Sequence, residues 1–165
     1  MSDNKKANKL DCSKRTSEGN FKQYAKEARS SNNAFLDKLA LSENSGDTQA
    51  EITVQDSRKF VGKYQFGAAR LADYKVASKE RFSMSDFKQD PALQERVVRW
   101  HIADIDQALD ALGDKASEYS RDGLRAVAHL GGKAGMKKFV GLGGKYNPED
   151  ELASSLREYY EKFSG

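Results

Sequence analysis

The stretch Asp90–Gly113, DPALQERVVRWHIADIDQALDALG, decides the fold class of this chain. Asp90 is a good helix cap and Pro91 is favoured at the first helical position, so a helix is predicted to begin here. Gly113 is a typical C-terminal stop. The apolar residues that recur between them at helical spacing are Leu93, Val97, Trp100, Ile105, Leu109 and Leu112. This long helix is predicted to be the core of the domain.

Shorter segments on both sides of this helix predict one small β element and further helices. Residues 51–61, EITVQDSRKFV, place β-branched residues around a polar centre, which predicts a small β-hairpin or an ordered loop. Residues 62–74, GKYQFGAARLADY, predict a glycine-bounded start of another helix. Residues 120–130, SRDGLRAVAHL, predict a short helix that stops at the glycine pair after it, and residues 134–140 predict a brief helix beyond.

The last helix is predicted from a second cap-and-proline signal. Asn147-Pro148 is followed by two acidic residues, and negative charge is favourable in the first turn of a helix. Residues 151–163, ELASSLREYYEKF, then carry an apolar stripe at helical spacing. Together these segments predict a mostly α-helical domain with one small β-hairpin or ordered loop near its start.

Residues 1–31 are predicted to be a polar tail, partly disordered, because they contain few large apolar side chains. Two interpretations of its second half stay open, a short helix packed on the domain and a tail with transient helicity. Asn32 or Asn33 is expected to cap the first helix of the folded domain, which spans residues 32–165. Cys12 lies in the tail and is the only cysteine of the chain, so no intramolecular disulfide can form.

The composition is that of a soluble protein with a mild positive charge. The 165 residues are 38% hydrophobic and 32% charged, with a formal net charge of +3. No apolar run approaches the roughly 18 residues that a membrane span needs. The first twenty residues lack the apolar segment of a secretory signal peptide, so we expect synthesis in the cytoplasm and delivery by another route. The basic residues are spread along the chain, which argues against a nucleic-acid-binding module.

Glu43 has an unusual predicted position for a charged residue. Leu36, Leu39 and Ala40 fall on one face of the first helix of the domain, and Glu43 falls on the same face. The sequence that follows Glu43 favours a turn, so its carboxyl group is predicted on the inward side of a helix end. A charge in that position is costly unless a cleft opens there.

Three short motifs then follow one another in an order that resembles the lysozyme-like superfamily. They are Glu43-Asn44-Ser45-Gly46, residues 62–67 (GKYQFG) and residues 128–132 (AHLGG), and a C-terminal helix with tyrosines comes after them. The order is similar to that of soluble lytic transglycosylases and goose-type lysozymes over about residues 33–163. The forms of the second and third motifs look more like compact phage and secreted-effector peptidoglycan hydrolases. The resemblance implies a lysozyme-like helical domain that cleaves glycan strands between N-acetylmuramic acid and N-acetylglucosamine, without metal or cofactor.

The resemblance also implies roles for individual side chains, with Glu43 as the catalytic acid and base. General chemistry agrees, because a carboxyl group whose pKa is raised by an apolar wall is a common glycosidase acid. The implied substrate-binding residues are Tyr64, Gln65, His129 and Tyr159. Tyr64 and His129 have alternatives as a core residue and as a buried, satisfied histidine, and Phe66 is expected in the core. Periodicity leaves open whether Tyr159 or Tyr160 approaches the carboxyl group from the last helix.

Two departures from the family pattern keep an alternative open. Asn44 stands where the family has Ser, and His129-Leu130 replaces Tyr-Asn in the third motif. The alternative is a catalytically inactive lysozyme-like module that binds peptidoglycan in cell-wall or secretion-machine assembly. A second carboxylate, which many glycosidases need, has three unassigned candidates. These are Asp47, Glu51 and Asp56. Lytic transglycosylases need no such partner, so we favour that outcome over a muramidase.

The partners expected from this interpretation are the glycan strands of peptidoglycan. A cognate immunity protein or an export adaptor would accompany an antibacterial effector. We expect a monomer, no nucleic-acid partner and no membrane span. The protein would act on the cell wall, in the periplasm or outside, after phage lysis or dedicated secretion. A basic helical nucleic-acid binder is the last-ranked alternative, and it predicts salt-dependent binding that is indifferent to Glu43.

Overall fold

The protein is described here by a computed structural model that covers residues 33–54, 57–146 and 155–165. The chain divides into two units, Met1–Leu36 and Asp37–Gly165. Residues 33–36 are the described part of the first unit, and they are helical. The predicted tail of residues 1–31, Cys12 within it and the capping role of Asn32 lie outside the described residues. Asn33 is already helical, so it is not the cap of the first helix.

The described part of the chain is mostly α-helical and carries one small antiparallel sheet, which confirms the predicted fold class. The strands are β1 Glu51–Thr53, β2 Lys59–Val61 and β3 Phe66–Gly67. The helices are α1 (residues 33–44), α2 Ala68–Ser78, α3 Met84–Gln89, α4 Pro91–Leu112, α5 Arg121–Gly141 and α6 Leu156–Ser164. A 3₁₀ turn, Gly113–Ala116, follows α4. No helix in the described ranges is both long and apolar enough to span a membrane.

Helix α4 begins and ends where the sequence predicts. The Asp90 side chain accepts a hydrogen bond from the backbone N–H of Leu93 at 3.0 Å, and Gly113 leaves the helix with a φ of 57°. The helix packs against α2, α3 and α5, so it occupies the centre of the domain. Its inward face also buries two polar residues, Gln94 and His101. The predicted core helix therefore carries polar groups that need partners inside the protein.

The predicted hairpin is present, and a third strand extends it. Strand β1 pairs with β2, and β2 pairs with β3, which holds Phe60 opposite Gly67. The third strand was not predicted, because Phe66 and Gly67 were assigned to the start of the next helix. Gly62 and Gln65 both have positive φ, 86° and 55°, and the N–H of Gln65 donates to the carbonyl of Gly62. This tight turn folds the chain back onto β2 before α2 begins.

Helix α5 consists of two pieces that meet at Gly132. Gly132 has φ 75° and ψ 171°, a conformation that is open essentially to glycine alone. The predicted stop at the glycine pair and the brief helix beyond it are therefore confirmed. His129 lies in the last turn of the first piece, and both pieces belong to the element that packs against α4 and α6.

The prediction for the last helix is wrong in its extent. Ser155 is extended and caps the helix, so α6 begins at Leu156 and does not run continuously through residues 151–163. Ser155 accepts from the N–H of Glu158, and the Glu158 carboxylate accepts from the N–H of Ser155, which is a capping box. The predicted start at Asn147-Pro148 lies outside the described residues. The short helix α3, which begins with the same kind of box at Ser83 and Asp86, was not predicted.

Candidate active site

Glu43 lies in the last turn of α1, on its buried side. Leu39 and Ala40 on the same face are fully buried, and the side chain of Glu43 is only 8% exposed. The helix ends as predicted, because Ser45 and Gly46 adopt positive φ and the N–H of Gly46 donates back to the carbonyl of Ala40. The turn of the first motif thus delivers a carboxyl group to the interior of the domain.

Two side chains from other helices meet this carboxyl group. The hydroxyl of Tyr159, from α6, donates to Oε1 of Glu43 at 2.7 Å. Nε2 of His129, from the first piece of α5, lies 3.5 Å from the same oxygen. The first motif, the third motif and the tyrosine helix are therefore in contact at a single atom. Between the two tyrosines left open by the sequence, Tyr159 is the one that reaches Glu43.

The surroundings of Glu43 favour its ionised form. Burial raises the pKa of Glu43, but this effect is outweighed by the hydrogen bond from His129 and by the charge interaction with that ring when it is protonated. The hydrogen bond from Tyr159 and the positive charge of Lys162 act in the same direction. The pKa of Glu43 therefore lies below its ordinary value of 4.5. The expectation of an apolar wall that raises this pKa is wrong, because hydrogen-bond donors surround the carboxyl group.

A second histidine, His101 from α4, lies directly behind His129. Nε2 of His101 is 3.0 Å from Nδ1 of His129, and Nδ1 of His101 accepts from Nε of Arg70 at 2.8 Å. Burial holds the pKa of His101 well below its ordinary value of 6.5, and the charge that His129 has when it is protonated and the positive charges of Arg70 and Lys133 act in the same direction. The ring of Phe66 packs edge-on against both imidazoles, with centroids 5.0 and 5.8 Å away. The expected core position of Phe66 is confirmed.

Arg70 is itself held by three further groups. Its guanidinium pairs with Asp104 at 2.6 Å and with Asp73 at 3.4 Å, and it lies over the ring of Trp100 at 4.2 Å. Lys133 pairs with the same Asp104 carboxylate at 2.9 Å. These contacts hold the guanidinium in place beside His101. A connected series of polar groups thus runs from this ion pair to Glu43.

The second motif is tied to the first through one carbonyl oxygen. The amide of Asn44 donates to the carbonyl of Gly62 at 2.6 Å, and the amide of Gln65 donates to the same oxygen at 2.9 Å. Asn44 also accepts from the N–H of Gly46 at 3.1 Å, which gives a structural reason for Asn at this position. Gln65 is buried, and its Oε1 has no hydrogen-bond partner among the described residues. An unpaired buried acceptor lowers the stability of the fold.

Tyr64 does not provide the sugar-stacking surface implied by the resemblance. Its ring is almost fully buried, and its hydroxyl donates to the carboxylate of Glu95 at 3.0 and 3.1 Å. Burial, together with the negative charge of Glu95, raises the pKa of Tyr64 to about 12. The core alternative describes this residue, which lies in the turn between β2 and β3 with its ring inside the domain.

The remaining candidates occupy other positions. The hydroxyl of Tyr160 accepts from the N–H of Ser120 at 2.9 Å. Asp47 is exposed and accepts from the N–H of Gln49, and Glu51 pairs with Lys59 at 3.4 Å and with Lys88 at 3.5 Å. Asp56 lies outside the described residues. The two described candidates for a second carboxylate are thus engaged in local contacts of the hairpin region.

His101, Arg70 and Asp104 were not predicted as parts of the site. Their sequence signal is weak, because Arg70 and His101 belong to different helices. Nothing in either segment indicates that the two side chains meet when the helices pack together. The described ranges contain no group of three or more His, Cys, Asp or Glu side chains arranged to hold a metal ion. The cluster that does form is a chain of hydrogen bonds. Its donors and acceptors can orient one another and exchange protons.

No protein-family model, no curated protein and no solved structure matches this chain. The geometry of Glu43 and its neighbours is therefore the main indication of function in the described residues.

Proposed function

We propose that this protein cleaves the glycan strands of bacterial peptidoglycan between N-acetylmuramic acid and N-acetylglucosamine, with Glu43 as the general acid and base. The observation that carries the proposal is the 2.7 Å hydrogen bond from Tyr159 to Glu43. The lysozyme-like resemblance implied such a contact from the last helix to a carboxyl group at the end of the first. The contact of His129 with the same carboxyl oxygen supports the proposal from the third motif.

The proposed reaction needs one carboxyl group that acts twice. Protonated Glu43 gives its proton to the glycosidic oxygen, and the bond from that oxygen to C1 of N-acetylmuramic acid breaks. The Glu43 carboxylate then takes the proton from the C6 hydroxyl of the same sugar, whose oxygen bonds to C1. The product is a 1,6-anhydro ring, and Glu43 ends the cycle protonated. Tyr159 and His129 would orient the carboxyl group and stabilise its negative charge between the two steps.

We favour this lytic transglycosylase reaction over a muramidase reaction. A muramidase commonly uses a second carboxylate as nucleophile or as base for water. Asp47 and Glu51 are occupied by Gln49 and by two lysines, respectively. The single-carboxylate mechanism asks for no further acidic group.

A second candidate function is a non-catalytic module that binds peptidoglycan. The ionised state of Glu43 favours it, because a carboxyl group with a lowered pKa is a poor proton donor at neutral pH. A glycan strand that covered the site would add burial, which raises a carboxyl pKa and opposes this effect. If the protein is an enzyme, its release of peptidoglycan fragments should increase as the pH falls toward 4.5. If it is a binding module, it should release no fragments at any pH.

The test is the digestion of purified sacculi by wild-type protein, by Glu43→Gln and by the matched control Glu95→Gln. Glu95 also accepts a tyrosine hydroxyl and contacts a cation, Lys63, but it lies outside the proposed site. We expect anhydro-muropeptides from wild type and from the control, and none from Glu43→Gln. Reducing-end products would identify a muramidase. Binding of sacculi without release by any variant would identify the binding module.

The delivery route and partners are part of the same proposal. An enzyme of this kind would act on the cell wall in the periplasm or outside, and a producing bacterium would need an immunity protein. Targeting the chain to the periplasm of a bacterial host tests this directly. Wild-type protein should lyse the cells and Glu43→Gln should not. Growth without lysis in both cases, with both proteins folded in the periplasm, would refute the proposed site of action.

A further inference from the structure

The hydrogen bonds between Arg70 and Glu43 run in one direction only. An arginine guanidinium has five N–H donors and no acceptor, and it stays protonated in proteins. Nε of Arg70 lies 2.8 Å from Nδ1 of His101, so this ring nitrogen must be the acceptor. The proton of a neutral His101 ring is then on Nε2. A doubly protonated His101 would place two N–H groups against each other at that distance.

His129 is constrained by His101 in the same way. Nε2 of His101 donates, so Nδ1 of His129, 3.0 Å away, must accept. The proton of a neutral His129 ring is therefore on Nε2, which lies 3.5 Å from Oε1 of Glu43. The two hydrogen bonds, from Arg70 to His101 and from His101 to His129, both point toward the Glu43 carboxylate. Nε2–H of His129 then lies on the side of the ring that is 3.5 Å from that carboxylate. This assignment follows from donor and acceptor chemistry and the heavy-atom positions alone.

We infer that Arg70 and His101 are positioning residues that hold His129 as a neutral ring with its Nε2–H directed at Glu43. A proton added to Nδ1 of His129 would meet the N–H of His101. His101 could avoid it only by moving its own proton to Nδ1, where it would meet the N–H of Arg70. Protonation of His129 is therefore opposed by a residue two hydrogen bonds away.

If Glu43 is the general acid of the proposed function, this arrangement assists catalysis. An imidazolium 3.5 Å from Glu43 would stabilise the carboxylate and keep the general acid deprotonated. A neutral His129 still orients the carboxyl group but leaves it able to take up a proton. Other charged or titratable groups surround the two histidines, His101 and His129. These are Tyr159 and Lys162 from α6, Glu43 from α1, Arg70 from α2, Asp104 from α4 and Lys133 from α5.

The chain has only two histidines, so the tautomers can be read directly. The test uses the full ¹⁵N-labelled chain without any added histidine, and NMR correlation of ring nitrogens with ring carbon-bound protons. At pH 7 we expect both rings as the neutral tautomer with the proton on Nε2. A ring with its proton on Nδ1, or an imidazolium in either position, would overturn the inference.

A matched set of variants tests the role of Arg70. Arg70→Lys keeps a charge that only donates, so it should retain the wild-type tautomers. Arg70→Gln can donate or accept, so His101 should populate the other tautomer, which no longer opposes a proton on His129. Lys133→Gln removes a charge from the same cluster without touching either ring, and it corrects for the lost charge. An Arg70→Gln spectrum identical to that of Lys133→Gln would refute the inference.

Measurements of peptidoglycan release distinguish failure of this inference from failure of the proposed function. In the sacculus assay, release by Arg70→Gln should fall off at a lower pH than release by Lys133→Gln, because a charged His129 holds Glu43 ionised. Equal pH profiles for the two variants would contradict the catalytic purpose of the arrangement. If wild type released nothing while its rings showed the expected tautomers, the proposed function would fail and the hydrogen-bond direction would stand.

Discussion

The hydroxyl of Tyr159 donates a 2.7 Å hydrogen bond to Glu43 from a position 116 residues further along the chain. This bond joins α6 to α1 and places a donor on a buried carboxylate. Hydrogen bonds of this charged kind are stronger than those between neutral groups. The contact therefore contributes to stability as well as to the state of the site.

Removal of the Tyr159 hydroxyl should change both the free energy of unfolding and the pKa of Glu43. Tyr159→Phe should lower the free energy of unfolding by about 1.5–3 kcal/mol, because a charged acceptor loses its partner. It should also raise the pKa of Glu43, which loses a donor that favours the carboxylate. The measurements are urea unfolding and ¹³C NMR titration of the carboxyl group. Tyr160→Phe is the matched control, since its hydroxyl bonds to Ser120, and it should leave the Glu43 titration unchanged.

The lowered pKa of Glu43 predicts how stability depends on pH. The carboxyl group binds protons less readily in the folded state than at its ordinary value of 4.5. Its contribution is therefore fully present above about pH 4.5 and is lost as the pH falls through the lower, folded-state pKa. Glu43→Gln lacks this dependence. The difference in unfolding free energy between wild type and Glu43→Gln should shrink as the pH is lowered from 6 to 3, and a constant difference would contradict the predicted direction.

The side-chain amide of Asn44 donates to the carbonyl of Gly62, so replacement of its NH2 group by an oxygen should lower the stability of the fold. Asn44→Asp replaces the N–H donor by an acceptor 2.6 Å from that carbonyl, next to the charge of Glu43. We expect a loss of about 1–3 kcal/mol in unfolding free energy at neutral pH. The matched control is Gln49→Glu, the same amide-to-acid change at an exposed bond to a carbonyl, which should cost under about 0.5 kcal/mol. Equal losses would show that the Gly62 bond is unimportant.

Gly132 and Gly135 should respond to the same substitution with opposite signs. Gly132→Ala forces a side chain into φ 75° and ψ 171°, which costs of the order of 1–3 kcal/mol. Gly135 is helical, and a Cβ added there meets no atom within 4 Å, so Gly135→Ala should stabilise by about 1 kcal/mol. Chemical denaturation of both variants tests the pair. Stabilisation by Gly132→Ala would mean that the helix is not broken in solution.

The parts of the fold that were predicted from the sequence have local causes. The limits of α4 and the break in α5 depend on Asp90, Gly113 and Gly132, which act on their own backbone. The missed starts of α3 and α6 also had local signals. These are the capping-box patterns at Ser83 with Asp86 and at Ser155 with Glu158. The third strand was missed for another reason, because its pairing depends on a turn that needs positive φ at Gln65, a non-glycine residue.

The candidate site was predictable only in part. Glu43 and the tyrosine pair follow from helical spacing and from the resemblance in motif order. The series behind them joins Arg70 to His101 across 31 positions and His101 to His129 across 28. Which faces of three helices meet is decided by packing of the whole domain, and no local pattern records it. The lowered pKa of Glu43 was missed for the same reason, since its donors come from distant segments.

The break at Gly132 separates the angular register of His129 from everything that follows it in α5. In an uninterrupted helix, one inserted residue would rotate the later side chains by about 100° relative to His129. Either the histidine or the buried side chains of Met136 and Phe139 would then lose their places. Because the helix is interrupted at Gly132, the backbone there can accommodate a change of length without rotating one piece relative to the other. A one-residue insertion or deletion at Gly132 should therefore be tolerated better than one inside either piece, because the imidazole and the buried side chains can both keep their places.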